Sequence, residues 1–418
     1  MTSLPPQPSK PIDASPVSTR SVNIKGLLDK CLREHNCGRH RLPDYLPPRL
    51  LDCSLGYPRL VESKDIERGS NYATLSHCWG AQPPSITLTT DNFDLLHDGI
   101  RNALPVTFAD AVDICTRLNI RYLWIDSLCI IQSGPGHVED WLNHVKQMVH
   151  IYGSCIVNIA AGHSEDSNGG CYSWRQPGLS YHCILPQLNY DLDKLSSHGI
   201  SVKGLPKIGP YALFSRVKKE WEPGASHLHT RGWVFQERLL SPRVLQFDEY
   251  DVIWECHEAM ASGNLPDHDI FPPHWIVVFI QQLSPGEESR KYLRLQHVYS
   301  KTNLTRGEDR LAAYSSIAQL CCEATGDSYI AGYLFSELPI GLLWIKNLQD
   351  AGNRQRIREP YIAPTWSWAS MERGWKKPLA YSFEPLQKTL YKRFSIQQYS
   401  SELVDKTNKY GPIRSASL

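Results

Sequence analysis

The alternation of apolar and polar positions is most regular between residues 72 and 161. Residues 72–78 form a compact apolar run closed by Trp79-Gly80, which predicts a buried strand. A polar loop through Pro83 and Pro84 follows. Thr107 then stands as a helix cap with Asp110 three residues on, and Pro105 precedes it. Phe108, Ala111, Val112, Cys115 and Leu118 recur at spacings that share one helical face. Tyr122-Leu123-Trp124-Ile125 reads as the next strand, with Asp126 at its end. A second amphipathic helix is expected from Asp140, carrying Trp141, Val145, Met148, Val149 and Tyr152, and residues 155–161 are another apolar strand.

Strand, helix, strand, helix, strand is the pattern of a parallel sheet with right-handed crossover helices. The expected fold is therefore α/β, an open and mostly parallel sheet with flanking helices over roughly residues 60–165. Residues 1–22 carry five prolines among serines and read as a disordered leader, and residues 23–60 as an arm with a short helix and a Pro-rich connection. The alternating rhythm lapses after residue 165. A mixed α+β extension is expected over 166–394, with Val244 to Phe247 and Val252 to Cys256 bracketing a hairpin turn and helical spacing over 308–320. Residues 395–418 are a polar tail, expected to be loosely held.

Composition narrows the partners. The 418 residues hold 44 Lys and Arg against 43 Asp and Glu, a net charge of +1. No global field favours phosphate backbones or anionic membranes, so nucleic acid is not an expected partner and protein contacts or self-association are. No apolar stretch is long enough to predict a membrane span. The N-terminus lacks the apolar centre of a secretory signal, and the 12 cysteines lack framework spacing, which together predict a reducing, cytoplasmic location.

Ligands in open parallel sheets bind beyond the carboxyl ends of the strands. Ser76, His77 and Cys78 close the first predicted strand, and Asp126, Ser127 and Cys129 follow the second. His77 and Cys78 are adjacent on an extended chain and point to opposite faces, so the imidazole is not expected to activate the thiol. Asp126 needs amides, a cation or a ligand to satisfy it. Neither a G-x-G-x-x-G nor a P-loop signature follows either strand. Cys31, His35, Cys37 and His40 lie within ten residues, but Cys31 and Cys37 are too far apart for a C-x₂₋₄-C knuckle, and no metal is assigned. His227 and His229 would share a strand face, as would Trp366 and Trp368. Arg231-Gly232-Trp233-Val234-Phe235-Gln236-Glu237-Arg238 sets two arginines and an acid among bulky apolar groups, either at a domain interface or around a polar ligand.

These segments resemble the fungal heterokaryon-incompatibility (HET) domain. The resemblance is carried by Tyr72-Ala73-Thr74-Leu75-Ser76-His77-Cys78-Trp79-Gly80, by Leu104-Pro105-Val106-Thr107-Phe108-Ala109-Asp110-Ala111, and by residues 122–132. The helix from Asp140-Trp141, the segment 231–241, and two later runs, Glu308-Asp309-Arg310-Leu311-Ala312-Ala313 and Pro364-Thr365-Trp366-Ser367-Trp368-Ala369-Ser370, complete it. The family implies a fungal intracellular protein of nonself recognition and programmed cell death. It has been likened to TIR domains, some of which hydrolyse NAD, which implies a TIR-like or flavodoxin-like core and NAD as a candidate substrate. No cofactor is firmly implied.

Relatives typically carry Asp-Trp-x-x-Glu where this chain has Asp140-Trp141-Leu142-Asn143-His144. An imidazole does not supply the carboxylate charge that would stabilise an oxocarbenium-like transition state. Asp126, His144 and Glu237 are the candidate catalytic groups, and Ser76, His77, Trp79, Arg231 and Arg238 the candidate ligand-binding groups. Three functions follow as expectations: an incompatibility effector, an enzyme that hydrolyses NAD or serves a secondary-metabolite pathway, or an interaction module that has lost chemistry.

Overall fold

A computed structural model describes residues 23–38, 42, 44–101, 104–173, 183–185, 211–213, 226–249, 251–263, 290–338, 340–346, 361–370, 375–376, 396 and 398–418. The predicted leader and His40 lie outside them. At the centre is an eight-stranded mixed sheet. Its strands are β1 (Arg49–Asp52), β2 (Arg59–Glu62), β3 (Tyr72–Ser76), β4 (Tyr122–Ile125), β5 (Val157–Ala161), β6 (Arg243–Phe247), β7 (Val252–Cys256) and β8 (Met260–Ser262). The order across it is β8-β7-β6-β5-β3-β4-β1-β2.

The four inner strands β6, β5, β3 and β4 are parallel. Buried on both faces, they are near-continuous apolar runs, as such strands must be. Antiparallel hairpins close both sides: β1 and β2 beside β4, β7 and β8 beside β6. The sheet thus extends beyond the segment whose rhythm announced it, into residues 49–62 and 243–262. The expected hairpin at 244–256 is present and joins the same sheet.

The connections explain where a crevice falls. Helix α1 (Ile24–Glu34) precedes the sheet, α2 (Val106–Leu118) joins β3 to β4, and α3 (His137–Gly153) joins β4 to β5. From β3 the chain steps to β4 on one side, then crosses back to β5 on the other. Right-handed crossovers therefore put α2 and α3 on opposite faces. In agreement, α1 touches α2, whereas α3 touches α4 (Gly232–Leu240) and α5 (Ser315–Thr325). The reversal lies between β3 and β5, where an open sheet offers its binding crevice.

Two local expectations are corrected. Leu228–Thr230 is a single 3-10 turn, so His227 and His229 do not share a strand face: His227 is exposed and pairs with Glu165 at 3.0 Å, while His229 is buried. Trp366 and Trp368 are not on a strand either. Trp368 opens the 3-10 turn Trp368–Ser370, fully buried edge-on to Tyr299 and Tyr314, and Trp366 stacks on Tyr333. The helical spacing over 308–320 resolves into two 3-10 turns, Gly307–Arg310 and Ala312–Tyr314, before α5. The C-terminal segment, polar in sequence, pairs Ser400–Leu403 with Ile413–Ser417; Tyr410 and Ile413 are buried beneath it, and Asp405 binds Lys146 of α3 at 2.7 Å.

Candidate functional site

The strand alternation at the end of β3 sorts the side chains of the first motif. Thr74 and Ser76 face α3 and α4; His77 turns to the opposite face and meets the Phe108 ring of α2 edge-on, centroids 4.9 Å apart. Cys78 returns to the α4 side, packed with Ala160, Leu228, Val234 and Val244. Burial pushes its thiol up. The expectation that His77 does not activate Cys78 agrees with this placement.

Between β3 and β5 lies a buried polar ladder. The register sets Thr74 beside Asn158 and Ser76 beside Ala160. Asn158 Oδ1 accepts from Thr74 Oγ1 at 3.0 Å and from Ser76 Oγ at 3.2 Å. Ser76 also donates to the carboxylate of Glu237, which α4 lowers onto the strand end, and the Tyr152 hydroxyl of α3 adds a further hydrogen bond to that carboxyl. Burial, the largest influence, pushes the Glu237 carboxyl up to about 7; the nearby Asp126 charge acts in the same direction, against Ser76 and Arg231.

Asp126 sits where β4 ends, on the first residue of a short helical turn, Asp126–Cys129. Its carboxylate accepts from Trp79 Nε1 at 3.0 Å and from the Ser127 amide at 2.6 Å. His77 Nδ1 is 3.8 Å away. Burial holds His77 down to about 4, with the Asp126 charge opposing and Arg231 assisting. Its Nε2 is a buried nitrogen with no hydrogen-bond partner. Arg231, just before α4, donates to the His77 carbonyl and so ties the 231–241 motif to the first.

Gly80, which ends the first motif, has φ of +83°, a region that favours glycine, and passes close over Asp166. The second motif holds the far side of that passage. Thr107 N donates to the Ser167 carbonyl at 3.0 Å, and Asp110 accepts from the amides of Cys171 at 2.7 Å and Tyr172 at 3.2 Å.

Of the eight candidate residues, six meet here: Ser76, His77, Trp79, Asp126, Arg231 and Glu237. The other two are held elsewhere. His144 is fully buried in α3, its Nδ1 donating to the Asp140 carbonyl at 2.8 Å and lying 3.6 Å from the Asp140 carboxylate. Asp140 in turn binds Arg49 of β1 and the Ile131 amide. Arg238 points from α4 to β7, where it pairs with Glu255 at 2.8 Å. Sequence reading passed over Asn158 and Tyr152. A lone Asn within an apolar strand was the available signal for the first; Tyr152 carried none, since it fits the apolar face of its helix.

Chemically the arrangement offers one partly exposed side chain, Asp126, and one buried carboxyl, Glu237, whose uptake of a proton is moved up toward neutrality. No curated protein and no solved structure matches the chain. Residues 72–237, the span from the first strand of this site to the Glu237 that closes it, match the family model described as Heterokaryon incompatibility protein (HET), so the chain carries a HET domain over that span.

Proposed function

We propose that this HET-domain protein acts in heterokaryon incompatibility, as a fungal cytoplasmic effector of nonself recognition and programmed cell death that responds to a protein partner or a second copy of itself. The core is read as TIR-like, with the parallel order 2-1-3-4 of flavodoxin-like sheets, and the α+β extension packs on it. One observation carries the reading. The polar groups contributed by the family's separate motifs are satisfied by one another: Ser76 by Glu237, Asp126 by Trp79, the His77 carbonyl by Arg231. Such a network fixes the mutual position of strand ends and helix, which suits a module that presents a surface. The near-zero net charge favours a protein over a nucleic acid as partner. Inducible expression in a filamentous fungus tests it: growth arrest is expected, and normal growth at confirmed protein levels overturns it.

A second reading, NAD hydrolysis, is favoured by two carboxyl groups at the strand ends in unlike surroundings, Asp126 with its side chain 29% exposed and Glu237 buried and pushed up to about 7. Purified protein incubated with NAD decides between them. Nicotinamide release abolished by Asp126→Asn would establish the enzyme; no release by folded wild type leaves the effector.

A further inference from the structure

Away from the strand ends, α1 and the edge of the sheet bring four ligand-bearing side chains together. Cys31 lies in the last turn of α1, and His35, four residues on, is the residue that caps the helix. The helix stops there: His35 is extended, its amide donating to the Cys31 carbonyl at 3.1 Å, and the chain turns so that Cys37 comes back toward the helix end. Cys256, the last residue of β7, faces all three. The sulfurs of Cys31, Cys37 and Cys256 and a ring nitrogen of His35 lie within 4.8 Å of one another.

We propose that Cys31, His35, Cys37 and Cys256 bind a zinc ion, in a structural site that clamps the N-terminal helix to the β6–β7 hairpin. Three observations support it. First, the spacing fits a tetrahedron: at Zn–S of ~2.3 Å and Zn–N of ~2.0–2.1 Å, neighbouring ligand atoms stand about 3.5–3.8 Å apart. Cys256 Sγ and His35 Nδ1 are 3.4 Å apart. Three sulfurs and an imidazole select zinc over magnesium or calcium, and four protein ligands complete the coordination expected of a structural ion.

Second, the charge balances. Three thiolates around a divalent ion leave one net negative charge. Arg243 of β6, itself buried, supplies the opposite charge, donating from Nε to Cys31 Sγ at 3.1 Å and from another nitrogen to the Ile156 carbonyl at 3.3 Å. Among the described residues no carboxylate pairs with this guanidinium. A buried cation needs an anion beside it, and a metal-held thiolate cluster is one. Third, the backbone on both sides of Cys37 is fixed to the turn after Cys256: the Asn36 amide donates to the Glu258 carboxylate and the Gly38 amide to His257 Nδ1 at 3.5 Å.

The full chain, purified after expression with added zinc, is expected to hold one zinc per molecule by elemental mass spectrometry. Exchange for cobalt is expected to give the intense visible bands of tetrahedral thiolate-bound Co²⁺. Cys37→Ser and Cys256→Ser should each lower the zinc content about tenfold or more, while His35→Cys, which keeps four ligands, retains it and the half-buried Cys53→Ser leaves it unchanged. Should the serine variants fail to fold, the wild type decides. Cys31, Cys37 and Cys256 should resist alkylation, and chelation by phenanthroline should make all three reactive. The proposal is overturned if the wild type carries no zinc above background, if a disulfide maps between any two of the three cysteines, or if Cys256→Ser keeps its zinc.

Discussion

The Ser76 hydroxyl donates to the Glu237 carboxylate, so the end of strand β3 is fastened to a helix far along the chain. Burial of that carboxyl, against the opposing pull of the Ser76 hydroxyl, makes stability depend on pH. Folded Glu237 holds its proton up to about 7 against an ordinary value of 4.5. Its contribution is full below about 4.5 and is lost as pH rises to about 7, on the order of 3 kcal/mol at ~1.4 kcal/mol per unit. His77 acts in the opposite sense. Its folded value of about 4 lies below the ordinary 6.5, so its contribution is present above 6.5 and lost as pH falls toward 4. The two slopes oppose each other between about 4.5 and 6.5. Glu237→Gln removes one of them, so urea midpoints of the variant should gain on the wild type as pH rises from 4.5 to 7; parallel curves would refute the assignment.

The ladder between β3 and β5 gives a second test. Asn158→Leu fills the same space but leaves the buried Thr74 hydroxyl without its amide partner, while Ser76 keeps Glu237. An unsatisfied buried polar group costs about 1–3 kcal/mol, and one is created. The variant should unfold at distinctly lower denaturant, and Thr74→Val in the same background should recover part of the loss. Additive losses would argue that the two side chains are not coupled.

Gly80 and Gly136 separate backbone strain from steric crowding. Both have positive φ, +83° and +79°, but a Cβ on Gly80 would sit 2.6 Å from Asp166 Cβ, while one on Gly136 meets open space. Gly136→Ala should cost the left-handed penalty alone, about 1–2 kcal/mol. Gly80→Ala adds overpacking of about 1–3 kcal/mol. Thermal unfolding of the two variants should rank them in that order, and equal shifts would mean that the 164–170 loop yields freely.

The strands that are buried on both faces were the most legible part of the chain, because apolar runs bounded by turn residues leave little choice: β4 coincides with the segment 122–125. Boundaries set by tertiary contacts were not. Helix α3 begins at His137, after the left-handed Gly136, rather than at Asp140, whose carboxylate is taken by Arg49 and the Ile131 amide instead of capping a helix. At the site, the residues that follow strand ends were visible, whereas Asn158 and Tyr152 acquire their roles only when β5 and α3 are laid against β3. Cys256 is the extreme case. Its partners Cys31 and Cys37 were judged by their own spacing, and no local pattern points from the N-terminal helix to a hairpin on the far side of the sequence.

His144 stands where relatives typically have a glutamate, and restoring that residue is an obvious route to a supposed lost activity. The surroundings argue for a different outcome. His144 Nδ1 donates to the Asp140 carbonyl at 2.8 Å, and burial keeps the imidazole neutral. In His144→Glu a carboxylate would face that carbonyl, an acceptor opposite an acceptor, beside the Asp140 carboxylate. Arg49, the cation whose charge acts on this position among the described residues, is already engaged by Asp140 and by the Cys129 carbonyl at 2.8 Å. Breaking the balance of a buried ionic group costs about 3–5 kcal/mol. His144→Glu should therefore be destabilised at pH 7.5, recover as the medium is acidified and the new carboxyl takes up a proton, and release no nicotinamide from NAD. A variant that unfolds with the wild type, or that turns over NAD, would show that position 144 opens to the strand-end site after all.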